Sequence, residues 1–256
     1  MNDPVKTVEP PHPVARLRIA SLASDATRPR LDRGEPRRAR CAGCRLPASH
    51  CACASRPRVP TRAGICLLMA PFEALKPSNT GWLVADVVPE TFAFAWSRLA
   101  VDPALLALLA DPQWQPVVVF PGEFAQPERV VDDLPTDAAT PSRRPLFILL
   151  DGTWAEARKM FRKSPYLDAL PVLSLHPEQR SRYQLRRSWH THHLCTSEVA
   201  ALCLALAGEL AAARAVSQWL DVFSDRYLRA TQGVAPDDVV RPASETRGTS
   251  SGASRS

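Results

Sequence analysis

Residues 145–163 read PLFILLDGTWAEARKMFRK, and the order of apolar, acidic and helix-capping residues in this stretch decides the fold. The apolar run 146–150 has the length of a buried strand, and Asp151 closes it. Thr153 and Glu156 then form the T-x-x-E pattern of a helix N-terminus. Ligands of parallel α/β sheets bind at the carboxyl ends of the strands. The residues around Asp151 are therefore the first place to look for chemistry.

The rest of the chain alternates between strands and helices in the same way. A long helix is predicted over about 196–213 and a further helical segment over about 216–230. The connection 124–144 is rich in Pro and Asp and lacks apolar periodicity, which predicts a surface loop. The alternation predicts an α/β fold with a mostly parallel sheet. Besides 146–150, strands are predicted at 64–69, 91–96, 116–120 and 172–175.

The charge is concentrated in two parts of the chain. The formal net charge is +6, but residues 16–62 hold 12 Arg against 3 acidic residues, and residues 143–187 hold 10 Lys or Arg against 4. Two basic segments on an otherwise acidic chain favour a polyanionic partner. No apolar run approaches the length of a membrane span, and the N-terminus lacks the apolar core of a signal peptide. We expect no membrane partner.

Four of the seven cysteines form a C-x2-C-x6-C-x-C cluster. Four thiolates complete the tetrahedral shell of a structural zinc ion, and an iron–sulfur cluster is the less favoured alternative. His50 is a possible replacement for one thiolate, although four Cys suffice. Clustered cysteines of this kind indicate a metal site in a reducing cytoplasm. The predicted Zn²⁺ ligands are Cys41, Cys44, Cys51 and Cys53.

The motifs of this chain, taken in order, resemble the DTW-domain family of tRNA-uridine aminocarboxypropyltransferases. The resemblance runs from about 41 to about 229, and the order and spacing of the motifs make it specific. Its signature is D-x-T-W, formed by Asp151, Gly152, Thr153 and Trp154. The accompanying motifs are the Cys cluster, Pro71-x-Glu73 with 76–81, Pro121-Gly122-Glu123, 157–160, Tyr183-x-Leu185-Arg186 and Thr196-x-Glu198-x-Ala200.

The resemblance implies transfer of the 3-amino-3-carboxypropyl group of S-adenosylmethionine to N3 of a tRNA uridine, with release of 5′-methylthioadenosine. It also implies a SPOUT-like, trefoil-knotted core. The resulting organisation is a flexible basic arm (1–38), a zinc knuckle (39–60), a catalytic domain (61–231) and a disordered tail (232–256). By analogy with knotted folds, the residues expected to hold S-adenosylmethionine are Phe120, Pro121, Gly122, Leu149, Leu150, Tyr183, Leu185 and Arg186.

Asp151 is the candidate catalytic acid/base, because uridine N3 carries a proton that must leave. Burial would raise the pKa of this carboxyl, whereas the adjacent helix N-terminus would lower it. Arg186 is suited to the methionine carboxylate or to a phosphate. Ser197 and Glu198 are either helix-capping residues or cofactor contacts. Ala70 departs from the family pattern, which commonly has His at that position.

Basic side chains near these motifs are expected to contact RNA phosphates, which position an RNA without reading its sequence. The predicted contacts are Arg40, Arg45, Arg158, Lys159, Arg162 and Lys163. Two other enzyme classes remain open, a SPOUT-type RNA methyltransferase and an aminocarboxypropyltransferase that acts on ribosomal RNA. The alternative of another class is a non-catalytic, zinc-dependent RNA-binding protein.

Overall fold

The computed structural model describes residues 11–23, 39–134, 143–175 and 194–236. Tyr183, Leu185 and Arg186 lie outside these ranges. The described strands form one sheet in which every pair is parallel, so the prediction of a mostly parallel α/β sheet is confirmed. In chain order they are β1 (Gly64–Met69), β2 (Thr91–Ala95), β3 (Trp114–Val119), β4 (Val130–Val131), β5 (Arg144–Asp151) and β6 (Val172–Leu173).

The order of strands across the sheet is β2-β1-β5-β3-β6-β4. The strand of the D-x-T-W stretch, β5, therefore lies between β1 and β3 and is covered on both faces. Such strands are continuously apolar, because helices pack on both sides of a parallel sheet. The described helices are α1 (Pro13–Ala23), α2 (Gly81–Val87), α3 (Pro103–Ala110), α4 (Trp154–Arg162), α5 (Thr196–Leu206) and α6 (Leu210–Gln232).

The alternating side chains of β5 belong to two separate apolar cores. Phe147 and Leu149 pack with residues of α2, α5 and α6. Leu146 and Ile148 pack on the other face of the sheet, with residues of α3 and α4. Because side chains alternate along a strand, Asp151 shares the first face with Phe147 and Leu149. Among the described residues, no helix is long and apolar enough to span a membrane.

Three predictions about the elements are corrected. The helix predicted over 196–213 is broken by Gly208, which has a φ of +78°, so the segment 216–230 belongs to α6. The loop 124–144 contains the short strand β4, which pairs with β6. The arm predicted at 1–38 contains α1, whose Val14 is fully buried. In α1, Arg18 Nη1 also donates a hydrogen bond to the carbonyl oxygen of Leu75 at 3.0 Å.

Asp86 of α2 connects the helices on one face of the sheet. Its Oδ1 accepts a hydrogen bond from Arg56 Nη1 at 3.1 Å, and its Oδ2 accepts one from Trp219 Nε1 of α6 at 3.0 Å. His12, just before α1, lies 3.5 Å from the same carboxylate. Burial raises the pKa of Asp86 to about 7, although the hydrogen bond from Trp219 and the charge of Arg56 lower it.

This raised pKa predicts a pH-dependent stability. The folded chain binds the proton of Asp86 more tightly than the unfolded chain, so its contribution is present below about pH 4 and is lost as the pH rises to about 7. Over this range, the free energy of unfolding of the wild type should fall relative to that of the Asp86→Asn variant, by a few kcal/mol. Urea unfolding of both proteins at a series of pH values measures the difference. A difference that does not change with pH contradicts this assignment.

Candidate functional site

The carboxylate of Asp151 lies at the carboxyl end of β5 and is held by two segments that are distant in sequence. Its Oδ2 accepts a hydrogen bond from Asn79 Nδ2 at 2.7 Å, and its Oδ1 accepts one from Thr196 Oγ1 at 2.6 Å. Only 2% of the residue is exposed. Hydrogen bonds to a carboxylate favour its ionised form, whereas burial disfavours it, and both act on Asp151 at the edge of the sheet.

Asn79 links Asp151 to a second buried carboxylate. Its Nδ2 also donates to Glu73 Oε1 at 3.3 Å, and Glu73 forms an ion pair with Lys76. Asn79 Oδ1 accepts a hydrogen bond from the backbone amide of Trp82 at 2.8 Å, in the first turn of α2. The segment that precedes α2 therefore both starts this helix and builds the site.

Gly81 allows α2 to approach the carboxylate closely. A Cβ atom at this position would lie 2.6 Å from Asp151 Oδ2, which is too short for any stable contact. The glycine of the Asn79-Thr80-Gly81 motif is thus required by the close packing of α2 against Asp151. This packing leaves no room for a larger residue without displacing the carboxylate.

The N-terminus of α5 completes the site. Ser197 Oγ donates a hydrogen bond to the carbonyl oxygen of Thr80 at 2.7 Å, and Glu198 Oε2 accepts one from the amide of Cys195 at 2.8 Å. The capping interpretation of Glu198 is confirmed. Sequence reasoning missed the contact of Thr196 with Asp151. The sequence feature that could have predicted this contact is Thr196 itself, a hydroxyl residue at a helix start within the Thr196-x-Glu198-x-Ala200 motif.

The other residues of the D-x-T-W motif cap a helix or pack against neighbouring residues. Thr153 and Glu156 form the predicted capping box of α4. Trp154 stacks on Phe120, with ring centroids 5.3 Å apart, and contacts the edge of Phe124. A Cβ at Gly152 would lie 2.9 Å from the Cβ of Ala70. One face of Trp154 is therefore occupied by core packing.

The basic helix and the carboxylate lie on opposite faces of the sheet. Residues Ala157 and Met160 of α4 are buried in the core that contains Ile148, whereas Asp151 contacts α2 and α5. The two features meet only at the carboxyl edge of the sheet. The basic side chains of α4 and of its C-cap residue are exposed, as expected for phosphate contacts: Arg158, Lys159, Arg162 and Lys163.

Arg45 is unsuited to the predicted phosphate contact, because it is only 4% exposed. Its Nη2 donates a hydrogen bond to the carbonyl oxygen of Leu75 at 2.9 Å, and its guanidinium stacks 4.7 Å from the ring centre of Trp82. Burial, followed by the charges of Arg18 and Arg40, lowers its pKa to about 9. The prediction for Arg45 is corrected to a structural role, whereas Arg40 is exposed.

The loops predicted to hold the cofactor lie side by side at the same edge of the sheet. Gly122 donates its backbone N–H to Ser174 Oγ at 3.0 Å, which ties the turn after β3 to the end of β6. Phe120 and Leu149 are buried, and Pro121, Gly122 and Leu150 are half-buried. Strands β3 and β5 pair directly, so these residues are neighbours of Asp151. Tyr183, Leu185 and Arg186 are outside the described residues.

The four clustered cysteines have the geometry of a zinc site. All four Sγ atoms lie within 4.8 Å of one another, and three of the Sγ–Sγ distances are 3.4, 3.5 and 3.8 Å. Zn–S bonds of about 2.3 Å in a tetrahedron place two sulfurs about 3.8 Å apart. A Cβ at Gly43 would lie 2.8 Å from Cys53 Sγ. The cluster therefore fits the ion.

Backbone amides favour the thiolate form within this cluster. Burial raises the pKa of Cys41, but hydrogen bonds from the amides of Cys44 and Gly43 and from neighbouring thiols outweigh it and bring the pKa to about 7. Burial raises the pKa of Cys44 to about 11. A bound divalent cation would hold all four as thiolates.

His50 is not a ligand of the cluster. Its Nε2 lies 2.8 Å from the carbonyl oxygen of Val234, and its Nδ1 lies 2.9 Å from Ser49 Oγ. Both ring nitrogens are thus engaged, and the knuckle is pinned to the end of α6. Cys44, Leu46 and Ala52 also belong to the core that contains Val216. The segment 39–60 is part of the main domain rather than a separate unit.

Replacement of both Cys41 and Cys44 by Ser should abolish zinc binding. The wild type is expected to contain one zinc ion per chain by metal analysis, because four thiolates form a closed site. Because the knuckle packs on α6, the variant should also unfold at a lower temperature. Cys203→Ala, which changes a buried thiol outside the cluster, is the matched control and should keep the metal. A full equivalent of zinc in the double variant rules out this ligand set.

Comparison with known proteins gives one match that covers most of the chain. The family model described as the DTW domain matches residues 38–228. That range contains every described residue of the site around Asp151 and the whole cysteine cluster. No solved structure matches the chain.

Proposed function

The chain belongs to the DTW-domain family, and on this basis we propose that it transfers the 3-amino-3-carboxypropyl group of S-adenosylmethionine to N3 of a tRNA uridine. The observation that carries the proposal is the buried carboxylate of Asp151. It is the first residue of the family signature, lies at the ligand-binding edge of a parallel sheet, and is fixed there by Asn79 and Thr196.

The reaction needs a base and a positioned electrophile. Uridine N3 attacks the carbon of the aminocarboxypropyl chain that is bonded to sulfur, and the C–S bond breaks. Its electron pair goes to sulfur, which gives 5′-methylthioadenosine, and the N3 proton passes to the carboxylate of Asp151. A carboxylate has about four acceptor positions, so it can accept the imide N–H in addition to its contacts with Asn79 and Thr196.

The neighbouring loops supply the proposed site of S-adenosylmethionine. Residues 120–122 and 149–150 end two paired strands beside Asp151, and Arg186 with Tyr183 and Leu185 would complete the site. Positioning the reacting carbon, rather than the methyl group, is most of what this site must do. The proposal includes a SPOUT-like knotted core. The all-parallel sheet supports that core only at the level of fold class.

The proposed acceptor is tRNA. Exposed basic residues on α4 and the exposed Arg40 are suited to phosphates, and such contacts give binding that weakens steeply with salt. Since α4 and Asp151 lie on opposite faces of the sheet, the RNA would cross its carboxyl edge. An unstacked uridine, as found in RNA loops, would then reach the carboxylate.

Asp151→Asn tests the catalytic role with little structural change. An amide can still accept from Asn79 Nδ2 and can donate to Thr196 Oγ1, so the variant should remain folded. It no longer carries the charge that accepts the proton. We expect the rate of 5′-methylthioadenosine release with tRNA to fall about 10²- to 10⁴-fold, whereas tRNA affinity should be unchanged.

The control for this experiment is Asp86→Asn, which removes another buried carboxylate outside the site and should keep the wild-type rate. A wild-type rate in Asp151→Asn refutes the assignment of the base. Release of S-adenosylhomocysteine by the wild type would instead indicate an RNA methyltransferase. Binding of tRNA with no product of either kind would indicate a non-catalytic RNA-binding protein. Modification of ribosomal RNA alone would show that ribosomal RNA, rather than tRNA, is the acceptor.

A further inference from the structure

A cavity of about 180 Å³ lies between α1 and the carboxyl ends of β1 and β2. Its walls are mostly apolar, and Ser21 is the one polar side chain among the residues that line it. They include Leu17 and Ser21 of α1, Met69 and Ala70 at the end of β1, and the aromatic residues Phe72 and Trp96. None of the residues assigned above to the reaction or to the cofactor lines this cavity.

The cavity adjoins the site of Asp151. Met69 pairs with Asp151 in the register of β1 and β5, and the backbone N–H of Ala70 donates to the carbonyl oxygen of Asp151 at 2.8 Å. Met69 and Ala70 therefore line the cavity and also border the site of Asp151. A group bound in the cavity would lie beside a substrate at Asp151.

The backbone of the cavity wall is strained. Phe72 has a φ of +65° and a ψ of 0°, a left-handed conformation that is rare for a bulky side chain. Such strain persists only where the surrounding structure enforces it, and it is concentrated at functional sites. Here it begins the 3₁₀ turn Glu73–Leu75, which carries the buried Glu73. The same turn thus shapes the cavity and supports the network around Asp151.

Trp96, which lines the cavity, contacts residues on the side of α4. Trp96 is 8% exposed, and its Nε1 donates to Ser164 Oγ, just after α4, at 2.9 Å. The Nζ of Lys159 lies 5.8 Å from the centre of the Trp96 ring. The exposed Arg98 follows Trp96 by two residues. Trp96 therefore lies between the cavity and Lys159 of the basic helix.

We propose that this cavity binds one unstacked base of the RNA substrate, held against the aromatic residues Phe72 and Trp96 with its phosphate near Lys159. The volume is below the roughly 300–1,000 Å³ of sites that enclose a whole drug-sized ligand, so a single ring fits better than a complete cofactor. Mostly apolar walls that include two aromatic residues, with the cation of Lys159 near one of them, match a base and its phosphate. The inference rests on the proposed function for its choice of RNA.

Filling the cavity tests this directly. Ser21→Phe places a ring into the cavity from α1, and Ala20→Phe adds the same ring at the adjacent, exposed position, which does not line the cavity. The probe is total tRNA from cells that lack this protein, measured by filter binding at fixed salt. Loss of one stacked base should weaken binding about tenfold to a hundredfold in Ser21→Phe, whereas Ala20→Phe should bind like the wild type.

A second variant and a second ligand separate the outcomes. Ala95→Phe fills the cavity from the end of β2, where Ala95 is exposed and lines it, and should weaken tRNA binding in the same way even where Ser21→Phe fails to fold. S-adenosylmethionine affinity, measured by calorimetry, should not change. Wild-type tRNA affinity in a folded cavity-filling variant overturns the inference, as does loss of S-adenosylmethionine binding in place of tRNA binding. Because binding is measured without turnover, the inference and the proposed reaction can fail independently.

Discussion

The hydrogen bonds from Asn79 and Thr196 to the carboxylate of Asp151 join three parts of the chain at one point. They fix the end of β5, the start of α2 and the start of α5 around one buried carboxyl group. An ionised carboxylate without such donors would be costly to bury. The close approach of Gly81, where a Cβ would lie 2.6 Å from the carboxylate, follows from the same arrangement. The motifs that contain Asn79, Asp151 and Thr196 are far apart in sequence, and together they hold one carboxyl group in place.

The sheet then separates this carboxyl group from the basic surface. Asp151 lies on the face covered by α2 and α5, and the cations of α4 lie beyond the other face. A polyanion on α4 reaches Asp151 only across the carboxyl edge of the strands. The cavity lined by Met69 and Trp96 is at the same edge, next to Asp151. An RNA bound as proposed would contact the cations of α4, the cavity and the carboxylate along one path, although these features do not share a face.

Local signals in the sequence predicted the features that neighbouring residues determine. The strands, the capping box of Thr153 and the four-cysteine cluster are encoded within short stretches, and the structure contains all of them. Long-range packing determined what was missed. Arg45 is buried because its guanidinium stacks on the ring of Trp82 and donates a hydrogen bond to the carbonyl oxygen of Leu75, and both residues are distant in sequence. Helix α1 has no clear amphipathic period and is ordered by its contacts with the turn before Lys76 and with α2.

The central claim is that a fixed carboxylate at the edge of this sheet serves aminocarboxypropyl transfer to tRNA. Nucleoside mass spectrometry of tRNA from cells with and without the protein tests it most directly. If the carboxylate serves this transfer, 3-(3-amino-3-carboxypropyl)uridine is present in the first sample, absent from the second, and restored by the wild-type chain. Equal amounts of this nucleoside in both samples would contradict it.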